Sequence, residues 1–410
     1  MGLLSKLYYL TGLFSLFAIP SYKGFLLVHI FLLTSLYFTL FILFLKVPNQ
    51  KLKLSKNDVI LVNLAFLLYI SSIIGAMLSD VISGILFSQI FIITFITVSL
   101  AFKINKNLIK SLLKGFVASS ILTSLYIILQ SVFFYLYSIN LTTVIFPDVL
   151  LEKANEHTFT NFININGLIF FRSPGFSWDP ALTASALVFS IILITENILI
   201  VKRFKPFMIV VLTIGIFLSV SKVSIISLFI YWTVNILRLH RLKLILGSYK
   251  IHFLSLATFL TFLILLYIGF FFKYTSDAEG DIRHIKYFSS LFYYFYQSIP
   301  EILFGYGYRG SGEFLNKYVE WFNSVPGFLF DKGSAPESTL TYIFLVGGLC
   351  GSFFWIFTYI YAFIKGSKEI KILLFTMLLV TFGNTINSVW FVMLYLSIFY
   401  ISSCYYREEI

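Results

Sequence analysis

The stretch 82–102, ISGILFSQIFIITFITVSLAF, contains no charged residue. A helix rises 1.5 Å per residue, so about 20 apolar residues suffice to cross a bilayer core of about 30 Å. The same character extends along the 410-residue chain, in which 59% of residues are apolar and 12% are charged. Soluble proteins have roughly 45–50% apolar and about 25% charged residues. The composition therefore predicts a polytopic membrane protein and excludes a water-soluble enzyme.

The positive charge of the chain has a simple explanation in a membrane protein. The formal net charge is +12, but nucleic-acid binding requires a soluble face with clustered Lys and Arg. Here Lys and Arg collect in short loops between apolar runs, as is typical of cytoplasmic loops. We therefore expect the lipid bilayer, and no nucleic acid, as a partner. Cys350 and Cys404 both fall in apolar runs, which favours neither a disulfide nor a metal site.

Twelve apolar runs are predicted as membrane spans. They cover about 3–20, 24–45, 58–79, 82–102, 111–139, 180–201, 206–221, 223–237, 251–272, 338–364, 372–386 and 388–404. The expected fold is thus an all-α polytopic membrane protein with about 12 transmembrane helices.

The distribution of charge predicts the orientation of these spans. If twelve spans alternate, five basic loops and both termini lie on one side, which then has 20 of the 30 basic residues and 5 of the 18 acidic ones. Positive loops are retained in the cytoplasm. The N- and C-termini are therefore predicted to be cytoplasmic.

Residues 206–237 allow two interpretations. Two short spans joined by the tip Ser219-Val220-Ser221-Lys222 keep the basic loops 202–205 and 238–250 on one side. One long tilted helix would put those loops on opposite sides, against the positive-inside rule. The rule favours the hairpin.

Two outer segments are too long to be simple turns. Both are rich in aromatic residues and Gly rather than in Glu, Lys and Ser, so that order is expected over disorder, and short helices are predicted in these loops. They divide the chain into the N-terminal membrane helices 1–139 (about five spans), the first large loop 140–179, the central spans 180–272, the second large loop 273–337 and the C-terminal spans 338–410.

The first candidate site is the motif RSPGFSWDP at 172–180. Its Pro-Gly pair predicts a turn, and Asp179 before Pro180 predicts the N-cap and first residue of a helix. The guanidinium of Arg172 could bind phosphate through two parallel hydrogen bonds. Contact with lipid headgroups is the alternative for Arg172, and simple capping is the alternative for Asp179.

Lys222, at the predicted hairpin tip, is the second candidate. A lysine inside a membrane costs at least about 2.5 kcal/mol, so its presence there indicates function. If the tip lies a few residues higher, Lys222 is a surface lysine that reaches the interface.

The third candidate is the segment DIRHIK at 281–286. Arg283 could bind an anion or pair with Asp281. His284 lacks a second His or Cys at ligand spacing, so no metal site is expected.

The motif GYGYRG at 305–310 follows in the same loop. It lacks the other parts of a dinucleotide-binding fingerprint, but its glycines would allow close approach of a ligand to the backbone. Arg309 could bind an anion or pair with Glu313.

The last candidate is Glu337, at the start of a predicted span. It could stabilise the helix dipole, or it could act as a partly desolvated base. Gly347, Gly348 and Gly351 in this span are expected to permit close helix packing.

In this order, the motifs resemble those of the bacterial O-antigen polymerases (Wzy-type) and the related O-antigen ligases. The matching pieces are Arg-x-x-Gly-Phe-x-x-Asp-Pro at 172–180, Ser-x-Ser-Lys at 219–222, Arg283 ahead of Pro-x-x-x-Phe-Gly-x-Gly at 300–307, and Pro-Glu-Ser-x-Leu at 336–340. The resemblance covers roughly 170–355 by motif and the rest by hydropathy.

The resemblance implies a multi-pass glycosyltransferase of the bacterial inner (cytoplasmic) membrane, with its active site facing the periplasm and with neither metal nor cofactor. The donor would be a glycan on undecaprenyl pyrophosphate, and the acceptor the next undecaprenyl-pyrophosphate-linked oligosaccharide. A polysaccharide chain-length regulator is a further candidate partner. By similarity, the candidate catalytic residues are Glu337, as the base, and Arg283. The candidate residues that bind pyrophosphate or sugar are Arg172, Lys222, Arg309, Asp179 and His284, of which Arg309 is chosen for its place in the loop and not from a family motif.

Two other functions stay open. O-antigen ligases typically have a His before an Asn where this chain has Glu337 and Ser338, which favours a polymerase over a ligase. A flippase or other transporter would be expected to have internal pseudo-repeats and charges within its spans. The charges of this sequence concentrate instead at the predicted outer surface.

Overall fold

The computed structural model describes residues 2–17, 22–46, 56–139, 141, 162–165, 168–176, 179–196, 198–199, 204–239, 290–322, 338–383 and 389–408. In these ranges the helices are α1 (Gly2–Leu13), α2 (Tyr22–Lys46), α3 (Lys56–Leu78), α4 (Ile82–Ile104), α5 (Lys106–Tyr137), α6 (Pro180–Thr195), α7 (Lys205–Leu218), α8 (Lys222–Leu239), α9 (Ile299–Phe304), α10 (Ser311–Phe322), α11 (Thr339–Lys365), α12 (Lys368–Gly383) and α13 (Val389–Glu408). The strands are β1 (Phe162–Ile165) and β2 (Leu168–Phe171).

Helices occupy the predicted apolar runs, apart from 251–272, which lies outside the described residues. Four of them are long and apolar enough to cross a membrane: Asn57–Leu78, Ile82–Ile104, Lys106–Tyr137 and Thr339–Lys365. The described chain is thus mostly helical and compatible with a membrane protein. The count of twelve spans and their topology stay predictions.

The first predicted run differs from the structure. Helix α1 has 12 residues and ends at Leu13, whereas the run was expected to continue to residue 20. Twelve residues extend about 18 Å, which is less than a bilayer core of about 30 Å. A turn follows the helix, with the Ser15 hydroxyl donating to the Gly12 carbonyl at 2.6 Å.

The first large loop contains a β-hairpin in its described part, where short helices were expected. Strands β1 and β2 pair antiparallel, with Phe162 opposite Phe171 and Ile165 opposite Leu168. Aromatic and β-branched residues favour this extended structure. Strand β2 is attached to α5, because the Phe171 ring stacks on Phe134 at 4.4 Å. The strand therefore delivers Arg172 to the C-terminal part of α5.

The chain divides into two compact units. The first comprises residues 1–50, 96–240 and 393–397. Within it, α6 packs against α5, α7 and α8, and its side chains from Leu182 to Ile194 are buried. A helix that is apolar all round is typical of such a central position.

The second unit comprises residues 51–95, 241–392 and 398–410. Its helix α11 packs along α3, with Gly347 and Gly351 both against the Leu68 side chain. The close packing predicted for these glycines is thereby confirmed. Gly348 does something else: its φ of 60° and ψ of −162° interrupt the helical geometry of α11.

Candidate functional site

Asp179 begins the central helix of the first unit, as predicted. Its Oδ1 accepts a hydrogen bond of 2.7 Å from the Ala181 N–H, and Pro180 is the first helical residue. A carboxylate at this position satisfies a backbone donor that has no partner within the helix. The side chain of Asp179 therefore fixes where the preceding turn ends.

The turn before Asp179 is held by a buried glutamine of α5. The Gly175 N–H donates to Gln130 Oε1 at 3.0 Å, and Gln130 Nε2 donates to the Gly175 carbonyl at 3.4 Å. Gly175 has a φ of 68°, in the left-handed region that favours glycine. The Thr183 hydroxyl adds a bond of 2.8 Å to the Pro174 carbonyl. Side chains on two helices thus fix the backbone of the turn.

Phe176 anchors the same turn through its ring. The ring stacks on Phe17 at 4.4 Å, with an interplanar angle of 18°. On Tyr126 it stacks at 4.4 Å and 3°. Offset stacking of this kind adds about 0.5–1.5 kcal/mol per pair beyond the area buried. The turn is therefore attached to the end of α1 as well as to α5.

The turn also contacts the break between α7 and α8. The Ser173 N–H donates to the carbonyl of Leu218, the last residue of α7, at 3.3 Å. Helix α8 begins four residues later at Lys222. Residues 206–237 are therefore two helices and not one continuous helix, in agreement with the interpretation that the charges favour.

This contact places the RSPGFSWDP turn against the residue that precedes the Ser219–Lys222 tip, and both predicted motifs belong to the first unit. Arg172 is partly buried beside Ser173, and Lys222 is exposed at the first position of α8. Both side chains carry positive charge, and a helix N-terminus also favours an anion. The arrangement could bind a phosphate or pyrophosphate group.

The GYGYRG loop lies in the second unit, between α3 and α11. The Tyr306 N–H donates to the Leu345 carbonyl at 2.6 Å, and the Ser79 hydroxyl donates to the Tyr306 carbonyl at 2.7 Å. Gly307 has a φ of 71°, and a Cβ there would collide with the Ala76 backbone. The glycines of this loop are predicted to let a ligand approach the backbone closely. In the structure, the protein's own helices α3 and α11 make that close approach.

Arg309 projects from this loop. Its side chain is exposed, and its guanidinium lies 5.3 Å from the centroid of the Phe87 ring. Its φ of 63° is uncommon for a residue other than glycine. Glu313, its predicted alternative partner, lies 3.4 Å from the Lys317 ammonium.

A partly buried, charged cluster behind the loop was not predicted from the sequence. Lys317 Nζ lies 2.7 Å from Glu301 Oε1 and 5.5 Å from the centroid of the Tyr306 ring. The Tyr306 hydroxyl donates to Gln297 Oε1 at 3.0 Å. Two local patterns could have indicated the cluster: Ser298 and Glu301 at capping-box spacing, and Glu313 and Lys317 four residues apart on one helix.

The charges of this cluster stabilise one another. Burial alone would raise the pKa of the Glu301 carboxyl, but hydrogen bonds from Lys317 and Ser298 outweigh it and lower the pKa below the usual 4.5. Burial likewise acts to lower the pKa of the Lys317 ammonium, but Glu301 and Glu313 raise it above 10.5. Both groups are therefore charged at neutral pH, and the pair joins α9 to α10.

The remaining predicted site residues, Arg283, His284 and Glu337, lie outside the described residues. Ser338, which follows Glu337, is the N-cap of α11 and accepts a hydrogen bond of 3.5 Å from the Thr341 N–H. Within the described ranges, no group of three or more His, Cys, Asp or Glu residues could hold a metal ion.

Arg172, Asp179 and Lys222 thus belong to the first unit and Arg309 to the second. Comparison with family models, with curated proteins and with solved structures gives no match to this chain.

Proposed function

We propose that the protein is an O-antigen polymerase, which transfers a growing glycan from undecaprenyl pyrophosphate to the next lipid-linked repeat unit. One observation carries the proposal: the hydrogen bond from Ser173 to Leu218 joins the RSPGFSWDP turn to the end of α7, four residues before α8 begins at Lys222. Two motifs of the family resemblance, each with a cation, therefore meet where two apolar helices are interrupted.

Cations at this position suit the leaving group of the proposed reaction. The acceptor hydroxyl attacks the anomeric carbon of the donor, and the bond from that carbon to the pyrophosphate oxygen breaks. Negative charge develops on the pyrophosphate, which fixed cations stabilise. Arg172 offers a planar fork of donors, and Lys222 a compact charge at a helix N-terminus.

The rigidity of the turn supports this role for Arg172. The backbone on its C-terminal side is fixed by Gln130 at Gly175, by Thr183 at Pro174 and by a hydrogen bond of 2.6 Å between the Ser131 and Ser173 hydroxyls. Donors that are positioned in advance need no reorganisation as charge develops, and this increases their contribution to catalysis.

The other assignments follow from the resemblance. Glu337 is the proposed base that takes the proton of the acceptor hydroxyl. Arg283, His284 and Arg309 are proposed to contact the pyrophosphate or the sugars, and Asp179 to hold the turn that carries Arg172. The proposed site faces the periplasm of the bacterial inner membrane, and the polymerase would act without metal or cofactor.

The test is the lipopolysaccharide ladder of a strain from which the gene is deleted and then restored on a plasmid. We expect lipid A-core with a single repeat unit in the deleted strain, and a full ladder with the wild-type gene. Arg172→Ala and Lys222→Ala should each fail to restore the ladder, and Arg172→Lys should restore it weakly because a lysine lacks the bidentate fork. Lys6→Ala, which removes an exposed cation of α1, is the control that should restore it fully.

Other ladders would overturn the proposal in recognisable ways. Bare core with accumulated lipid-linked polymer in the deleted strain would indicate a ligase. Bare core with unpolymerised lipid-linked repeat units would indicate a flippase. An unchanged ladder would exclude all three functions. Immunoblots of the membrane fraction ensure that the variants are compared at equal protein level.

A further inference from the structure

An apolar face is exposed in the second unit just before the GYGYRG loop. Five side chains form it, with exposed fractions between 36% and 75%: Phe292, Phe295, Tyr296, Ile299 and Leu303. Exposed apolar groups at this density indicate a contact with another apolar phase or molecule.

The opposite side of the same segment is packed against α10. Tyr294 is fully buried in a cluster with Phe314 and Tyr318, and Tyr293 packs against this cluster. The sole charged residue of the sequence between 290 and 304 is Glu301, whose carboxylate is 2.7 Å from Lys317 of α10. The segment is therefore amphipathic, and its charge is neutralised on the side that faces the protein.

The loop that follows this face lies below the ends of two apolar helices. Gly307 lies against Ser72 and Ala76 of α3, and Tyr306 is bonded to Leu345 of α11. Ser72 is six residues before the end of α3 at Leu78, and Leu345 is six residues after the start of α11 at Thr339. At 1.5 Å per residue, Ser72 and Leu345 are about 9 Å inside the helix ends, and Ala76, two residues before Leu78, is about 3 Å inside.

Irregular backbone at such a depth requires internal hydrogen bonds, because lipid offers none. The Tyr294 hydroxyl lies 2.8 Å from the carbonyls of both Glu301 and Ile302, which lie in the middle of the short helix α9. The Gly305 N–H donates to Glu301, and the Tyr306 N–H and carbonyl are bonded to Leu345 and Ser79. These backbone groups of the segment are thus satisfied within the protein.

We propose that residues 290–310 form a re-entrant segment that dips into one leaflet beside α3 and α11, with its apolar face in contact with the acyl chains of bilayer lipid. The proposal rests on the membrane placement of α3 and α11 in the proposed function, and it does not require glycosyl transfer. The segment is continuous with these two apolar helices, and the one charged residue between 290 and 304, Glu301, is paired on the side that faces the protein. These two observations identify lipid as the occupant of the face.

The test places one spin label at a time on the full-length protein. The background carries Cys350→Ala and Cys404→Ala, and the protein is reconstituted in synthetic phosphatidylcholine and phosphatidylglycerol vesicles that contain no polyprenyl lipid. Labels at Tyr296→Cys and Ile299→Cys probe the face. Labels at Phe353→Cys, exposed on α11, and at Glu320→Cys, exposed on α10, serve as the lipid and water references.

The measurement compares collisions of each label with oxygen, which concentrates in lipid, and with a water-soluble nickel chelate. We expect the oxygen-to-nickel ratio at 296 and 299 to be several-fold higher than at 320 and similar to that at 353. A ratio equal to that at 320 would mean that the face is in water. Protection from both reagents would mean that a second copy or another protein covers it. Either result overturns the proposal.

The outcome is independent of the enzymatic proposal. The same ratios are expected in protein that also carries Arg172→Ala, because this change lies in the first unit and affects only the proposed chemistry. A failed ladder test with a high oxygen-to-nickel ratio would therefore reject the polymerase and leave the re-entrant segment in place.

Discussion

The turn at 172–180 and the loop at 305–310 are built in different ways around the same backbone conformation. Gly175 and Gly307 both lie in the left-handed region, with φ of 68° and 71°. The neighbours of Gly175 are side-chain atoms of Thr123 and Ile127, whereas those of Gly307 are backbone atoms of Ser72 and Ala76. A methyl group added at Gly175 would thus meet side chains that can adjust, whereas one added at Gly307 would meet backbone that cannot.

The largest expected effect is that of adding one methyl group to the loop. Gly307→Ala should destabilise the protein by about 2–5 kcal/mol, from left-handed strain together with overpacking against fixed backbone. Gly175→Ala should cost less, about 1–3 kcal/mol, because the side chains around it can move. The measurement is the apparent Tm of the purified protein in detergent.

Gly2→Ala is the matched control, since nothing lies within 4 Å of a Cβ at that position. Its Tm should equal that of the wild type. If Gly175→Ala lowered the Tm as much as Gly307→Ala, the distinction between side-chain and backbone support would be wrong.

A second change tests the side-chain support of the turn directly. Gln130→Leu keeps the approximate size of the buried side chain but leaves the N–H and carbonyl of Gly175 without their partner. Buried polar groups that lose a partner cost about 1–3 kcal/mol each, so we expect a lower Tm and a weaker lipopolysaccharide ladder.

Gln89→Leu removes an exposed glutamine whose Nε2 donates to the Tyr69 hydroxyl at 2.9 Å, and it should alter neither property. A Gln130→Leu protein with a normal ladder would show that Arg172 does not depend on the geometry of the turn.

The smallest expected effect concerns the charged pair behind the loop. Glu301→Gln should cost about 1 kcal/mol or less, because partly exposed ion pairs contribute little. The pKa of Glu301 is lowered by folding, so its contribution is present above about pH 4.5 and disappears as the pH falls through the lowered value. The pKa of Lys317 is raised, so its contribution is present below about pH 10.5 and disappears at higher pH.

The Tm difference between wild type and Glu301→Gln should therefore be constant between these limits and vanish in acid. A difference that grew as the pH fell from 7 to 4 would contradict the direction of the Glu301 shift.

Local chemistry explains which features could be predicted from the sequence. Asp179 before Pro180 specifies a helix start by itself, and uninterrupted apolar runs specify helices. The β-hairpin also has a local signal, because Asn166-Gly167 between FINI and LIFF is the typical two-residue connection of a hairpin. Hydropathy averaged over a helix-length window does not register such a two-residue signal.

The parts that could not be predicted depend on partners distant in sequence. The break at Gly348 becomes understandable only once the backbones of Leu303 and Gly305 are seen against it, and the contact of Ser173 with Leu218 depends on how α5, α6 and α7 pack. Hydropathy indicates that these helices exist but contains no information about which of their turns come into contact.

The ring of Phe176 has a consequence for the order in which the protein is made. Its two stacking partners, Phe17 and Tyr126, precede it in the chain, and α1 and α5 pack with the backbones of Gly12 and Gly115 in contact. Chains fold from the N-terminus during synthesis. We therefore expect a slot between the two rings to exist before Phe176 leaves the ribosome, so that the turn carrying Arg172 is captured by a preformed site.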